Sequence, residues 1–131
     1  MLKFSKEKVV GKALIEVEIT ENDISTIVIT GFEGGIGYWS IIDNVGEEWD
    51  EKPKDEPTAT WGTKLLLEGK SIRLIDVDDE NEVWLLTLDK IIEGYRLNSI
   101  HRPFDSDLEN GDVTTADCII QYGLFGKLVY G

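Results

Sequence analysis

The sequence is poor in the residues that build covalent and metal scaffolds. Among its 131 residues there is one cysteine, Cys118, and one histidine, His101. A lone cysteine closes no internal disulfide, so nothing points to a secreted, stapled fold. One His and one Cys are also too few for a zinc site, and no metal is expected. Proline occurs only three times, and no Pro-, Gly- or Ser-rich linker divides the chain, so a single domain over 1–131 is expected. Long apolar runs are missing as well. No stretch approaches the roughly 18 residues of a membrane span. The opening MLKFSKEKVVGKALIEVEI has lysines but no continuous apolar region of the kind a secretory signal needs. Positive charge is the last shortage: 13 Lys and Arg stand against 26 Asp and Glu, a net charge of −13. Such a surface repels both nucleic acid and lipid headgroups, so neither direct nucleic-acid binding nor a membrane is expected. The expected location is cytoplasmic.

The charge is unevenly placed. Residues 1–12 carry four Lys and one Glu, whereas 13–60 carry twelve acids and two bases. Within that second stretch, Gly46–Pro57 (GEEWDEKPKDEP) gathers Glu47, Glu48, Asp50, Glu51, Asp55 and Glu56, with Asp43 just before it. These seven carboxylates form a candidate acidic face suited to a protein partner with a basic surface.

Periodicity outlines an α+β fold. Ala13–Thr20 alternates Ile15, Val17 and Ile19 with Glu16 and Glu18, the pattern of a half-buried strand. Thr20 and Asp23 form a variant capping box that opens a helix over 21–33, which Gly34–Gly35 should stop. Gly37–Val45 reads as a strand, with Trp39 on the face of Ile41 and Ile42 on the other. Gly46–Pro57 reads as a long loop in which Trp49 is the odd residue. Thr58–Gly69 fits a short helix with Trp61, Leu65 and Leu66 inward. Lys70–Val77 and Glu82–Leu88, joined by Asp78–Asn81, predict a β-hairpin. Helices follow over about 88–99, weakened by Gly94, and about 114–124, capped by Asp112 or Thr114. Arg102–Gly111 is a loop, and the apolar tail Gly126–Gly131 should dock. The expected architecture is an antiparallel sheet of about four strands with helices on one face.

Motifs with chemistry are few. Gly34-Gly35-x-Gly37 lies after a helix and before a strand, the electronegative end of the dipole, and lacks the Lys-Ser/Thr of a phosphate loop. It reads as a tight turn. Tyr38 and Trp39 beside it could form an aromatic shelf for a planar ligand or a partner's side chain. Arg96 and Arg102 are the reachable clamp for a small anionic ligand. Asp76–Glu80 and Asp105–Glu109 lack the glycine and distal glutamate of a calcium loop. A Cys118/His101 dyad is formally available, but Cys118 falls near an apolar helix stripe, where cysteine is usually core. No nucleophile elbow is present, and no carboxylate pair stands out. No enzyme activity and no cofactor are expected.

Phe32–Trp39 (FEGGIGYW) and Gln121–Gly131 (QYGLFGKLVYG) together resemble a group of small proteins carried by bacteriophages and other mobile elements, chiefly of Firmicutes. That group pairs an early Gly-Gly-x-Gly-Tyr-Trp with a closing Phe-Gly and Tyr-Gly. The resemblance implies a phage or prophage accessory protein acting in the host cell cytosol, and carries over no catalytic residue. In that context the acidic face suggests an inhibitor of host defence, occupying the basic groove of a nuclease or CRISPR effector. Two alternatives compete. One is a small-ligand binder that sequesters a nucleotide signal through Gly34, Gly35, Gly37, Tyr38, Trp39, Arg96 and Arg102. The other is a homo-oligomer joined through Leu124–Tyr130.

Overall fold

A computed structural model describes residues 2–131. Five helices and a three-stranded antiparallel sheet make an α+β fold with the helices packed against the sheet. The helices are α1 (Glu21–Thr30), α2 (Glu47–Asp50), α3 (Thr58–Leu67), α4 (Leu88–His101) and α5 (Val113–Phe125). The strands β1 (Ser40–Asp43), β2 (Ile72–Asp76) and β3 (Val83–Leu86) lie in sequence order.

Local chemistry explains most boundaries. Thr20 Oγ1 accepts from the Asp23 N–H at 3.1 Å and Asp23 Oδ2 accepts from the Thr20 N–H at 2.9 Å, the capping box expected for α1. Asp112 Oδ1 accepts from the N–H groups of Thr114 and Thr115 and so starts α5. The hairpin forms as expected, with Leu74 opposite Trp84 and Ile72 opposite Leu86. Its inner residues, Ile72, Leu74 and Leu86, are fully buried. They join Ile27, Val28, Leu66, Ile91, Ile119 and Ile120 in one core. Burying each of these side chains contributes about 1.5–3 kcal/mol.

Helices α4 and α5 make the closest packing in the molecule. A Cβ on Gly94 would overlap the carbonyl oxygen of Ile119, and one on Gly123 would overlap that of Lys90. Gly94, which looks like a helix weakness in the sequence, is what lets the two backbones meet.

Four expectations are corrected. Ala13–Thr20 is not a strand: among the described residues no element pairs with it, and of this stretch Ile19 is the residue that reaches the core. Alternation marks a surface able to pair but does not supply the neighbour. The sheet therefore has three strands rather than about four. The helix over 21–33 does not stop before Gly34–Gly35. Past Thr30 it widens into a π-helical turn, Gly31–Gly35, ending where the Ile36 N–H donates to the Gly31 carbonyl at 2.9 Å. Trp39 does not share the face of Ile41. It sits in the turn before β1, out of the strand's alternation, and is buried while Ile41 is exposed. Gly46–Pro57 is not all loop: α2 forms there and buries Trp49, while Trp61 Nε1 donates to the Glu48 carbonyl at 2.9 Å.

Candidate functional site

The glycine-rich motif and the C-terminal motif meet. The turn after Gly35 delivers Tyr38 and Trp39 to one side of α5, where Asp117 and Gln121 stand one helical turn apart. Asp117 accepts three hydrogen bonds: from Tyr38 Oη at 2.6 Å, Trp39 Nε1 at 2.8 Å and Gln121 Nε2 at 2.9 Å. Gln121 Oε1 in turn accepts from the Val129 and Tyr130 N–H groups at 2.8 and 2.9 Å. That pair of bonds docks the tail, as its apolar composition suggests. Tyr130 then stacks on Trp39, ring centroids 4.9 Å apart and 5° from parallel, with Trp84 and Phe125 against the same rings. The Tyr130 hydroxyl donates to Asp76 Oδ2 at 2.9 Å, tying the tail to β2.

The acid at the centre marks its neighbours. Burial pushes the Tyr38 hydroxyl up to about 12, helped by its hydrogen bond to Asp117. Burial likewise raises Tyr130, with Asp76 adding to it. The Asp78 N–H, and then the Tyr130 hydroxyl, hold Asp76 below the usual carboxylate range.

A cleft of about 530 Å³ opens beside this hub, lined by Gly34, Gly35, Tyr38, Arg102, Asp117 and Cys118 among others. Its volume lies within the range of small-molecule pockets. A Cβ on Gly35 would come within 2.8 Å of the Val113 carbonyl, so glycine is what allows this wall to form. Arg102 reaches the cleft from the end of α4. Its guanidinium donates to Asn98 Oδ1 at 3.0 Å and pairs with Asp105 at 2.7 Å. Burial raises the Cys118 thiol, outweighing the pull of Arg102, so the group stays a thiol at neutral pH.

Of the residues expected in a binding site, Gly34, Gly35, Tyr38 and Arg102 come together in this cleft. Gly37 and Trp39 do not line it; Trp39 lies beneath it in the core. A stacking shelf of both aromatics is therefore not what the turn presents: Tyr38 alone is half-exposed. Arg96 is elsewhere, in a bidentate pair with Glu93 at 2.9 and 2.6 Å, beside the groove that residues 15–19 form with α4. His101 stacks on Tyr122 at 5.5 Å and does not line the cleft that Cys118 lines.

Sequence reasoning missed Asp117, Gln121 and Tyr130. The signal was present: two polar residues spaced i, i+4 on an otherwise apolar helix, where burial demands partners.

The acidic residues divide into two groups. Asp43 is half-buried and pairs with Arg73 at 3.2 Å. Glu47, Glu48, Asp50 and Glu51 project from α2 into solvent, and Asp55 follows. Glu56 is half-buried beside α1 and α3. Asp78, Asp79, Glu80 and Glu82 crowd the hairpin turn. Since Ser40 pairs with Asp76 and Asp43 with Arg73, α2 and that turn leave opposite ends of the β1–β2 ladder. Among the described residues no helix is long and apolar enough to cross a membrane, and no group of three or more His, Cys, Asp or Glu could hold a metal ion. No family model, curated protein or solved structure matches the chain.

Proposed function

We propose that this protein is a non-enzymatic binding protein, a phage or prophage accessory factor that inhibits a host-defence nuclease or CRISPR effector by occupying its basic groove. One observation carries the reading. The carboxylates of Glu47, Glu48, Asp50 and Glu51 are exposed, and none forms a salt bridge among the described residues. Unneutralised charge on a folded surface raises the encounter rate with a basic partner and sets the register of docking. The hairpin turn adds a second cluster at the far end of the β1–β2 ladder. The test is inhibition of a panel of purified host nucleases and CRISPR effectors. Inhibition should weaken with salt, and reversal of those four acids to Lys should cost on the order of 100-fold in affinity, about 2.7 kcal/mol. Inhibition that survives the reversal would refute the proposal.

The cleft supports a second reading, a small-ligand binder that sequesters a nucleotide signal. Its basis is the gathering of Gly34, Gly35, Tyr38 and Arg102 around one opening. A ligand seated there should raise the melting temperature in a screen of linear and cyclic nucleotides. A flat response across the panel would remove it. An interface through Leu124–Tyr130 has less support, because Gln121 and Trp39 already engage the tail within its own chain.

A further inference from the structure

Two parts of the molecule are built for pairing and find no mate within it. One is the leading segment. Ile15 is 83% exposed, Val17 60% and Leu14 wholly so, although the stretch alternates like a strand. The other is β1. The Val77 N–H donates to the Trp39 carbonyl, so the bonded pairs of the β1–β2 ladder are Ile41 with Ile75 and Asp43 with Arg73. Ile42 therefore turns its N–H and C=O outward. On the opposite edge of the sheet the outward carbonyl of Leu85 is taken by Lys90 Nζ at 2.6 Å, a lysine that blunts β3. No such guard stands on β1 among the described residues. The sheet face beside this edge is open and largely apolar, with the Asp43–Arg73 ion pair at one end of it. Ile41, Ile75 and Val83 form a row across all three strands, and Ile41 is 54% and Leu85 47% exposed.

We infer that residues 13–18 of a second copy of this chain add to β1 as an antiparallel strand, and that the exchange is reciprocal and closes a two-fold dimer. Charge selects both the occupant and its direction. The segment is preceded by Lys3, Lys6, Lys8 and Lys12 with only Glu7 against them, on a chain of net charge −13. Helix α2, with Glu47, Glu48, Asp50 and Glu51, leaves β1 at its Asp43 end. An incoming strand that runs antiparallel brings its lysines to that end; a parallel one carries them away. The alternation selects the register. With Ile15 and Val17 on the Ile41 face, the apolar row is extended. A slip of one residue sets Glu16 and Glu18 on the face of Asp43 instead. Reciprocity follows because each copy has one segment and one open edge, and two such contacts satisfy both.

Sedimentation equilibrium on the full chain reads the mass without any nuclease present, and the lysine-reversed chain, which keeps Glu47, Glu48, Asp50 and Glu51, separates the two readings: it should lose the dimer and keep nuclease inhibition. The native chain should sediment at twice 14.8 kDa. I15D/V17D should halve that mass and leave the circular dichroism unchanged, because both residues are exposed and outside the core. Two charge-reversed chains separate pairing from general stickiness. One carries Lys3→Glu, Lys6→Glu, Lys8→Glu and Lys12→Glu; the other carries Glu47→Lys, Glu48→Lys, Asp50→Lys and Glu51→Lys. Each alone should be monomeric, and an equimolar mixture should return to the dimer mass, since both contacts are then complementary. A native chain that stays monomeric, a dimer indifferent to I15D/V17D, or a mixture that fails to associate would overturn the inference.

Discussion

Asp117 accepts from Tyr38, Trp39 and Gln121 while nearly excluded from water. A carboxylate serves there because it only accepts, and all three neighbours donate. Asp117→Asn keeps the shape but turns a donor toward one of them. The expected cost is about 2 kcal/mol, read as a lower urea midpoint at unchanged slope. The same variant has a spectroscopic signature. Tyr38 in the native protein titrates near 12, chiefly through burial and next through Asp117. Because the folded value lies above the ordinary 10, its contribution to stability is complete below pH 10 and is lost as pH rises through 12. Tyrosinate absorbance in Asp117→Asn should shift part of the way back toward 10, the burial component remaining. Asp117 sits in the helix predicted for it, and its i, i+4 spacing with Gln121 is the one local sign that it faces inward, but nothing local names the other side chains it meets. Two of its three donors, Trp39 and Tyr38, are 78 and 79 residues away in sequence.

At the scale of elements, helices were the most legible part. Caps and stops are local chemistry, so Thr20, Asp112 and the glycine at Gly69 mark ends from the sequence alone. The hairpin is legible for the same reason, two apolar runs joined by four turn-forming residues. The strand expected at 13–20 fails because a strand is defined by its neighbour. Gly94 shows the converse, a weakness in one helix that is a requirement of two. Gly94→Ala should add about 1 kcal/mol in helix propensity but lose about 3 kcal/mol to overlap with the α5 backbone, which cannot move aside. The net expectation is a fall of about 8 °C in Tm. Gly37→Ala is the control: nothing lies within 4 Å of its Cβ position and its φ is not positive, so Tm should barely move.

The whole molecule carries −13 and compensates little of it. Among the described residues there are four salt bridges, and two of them, Lys70–Glu68 and Arg96–Glu93, are well exposed on both sides, where such pairs contribute little. Self-repulsion should therefore dominate the response to ionic strength. Raising sodium chloride from about 0.01 M to about 1 M shortens the screening length from about 30 Å to about 3 Å. Tm should rise by about 5 °C over that range in thermal denaturation, and a fall would mean that attraction outweighs repulsion. This charge, the α+β class, the hairpin and the capped helices were determined by the sequence by itself, because each follows from composition or from residues close together in the chain. Long-range packing fixes that Tyr38 and Trp39 lock onto Asp117, that Arg102 joins the glycines while Arg96 does not, and that the leading alternation lacks a partner among the described residues. Those depend on which distant surfaces meet, and that is set by packing across the whole core rather than by any local pattern.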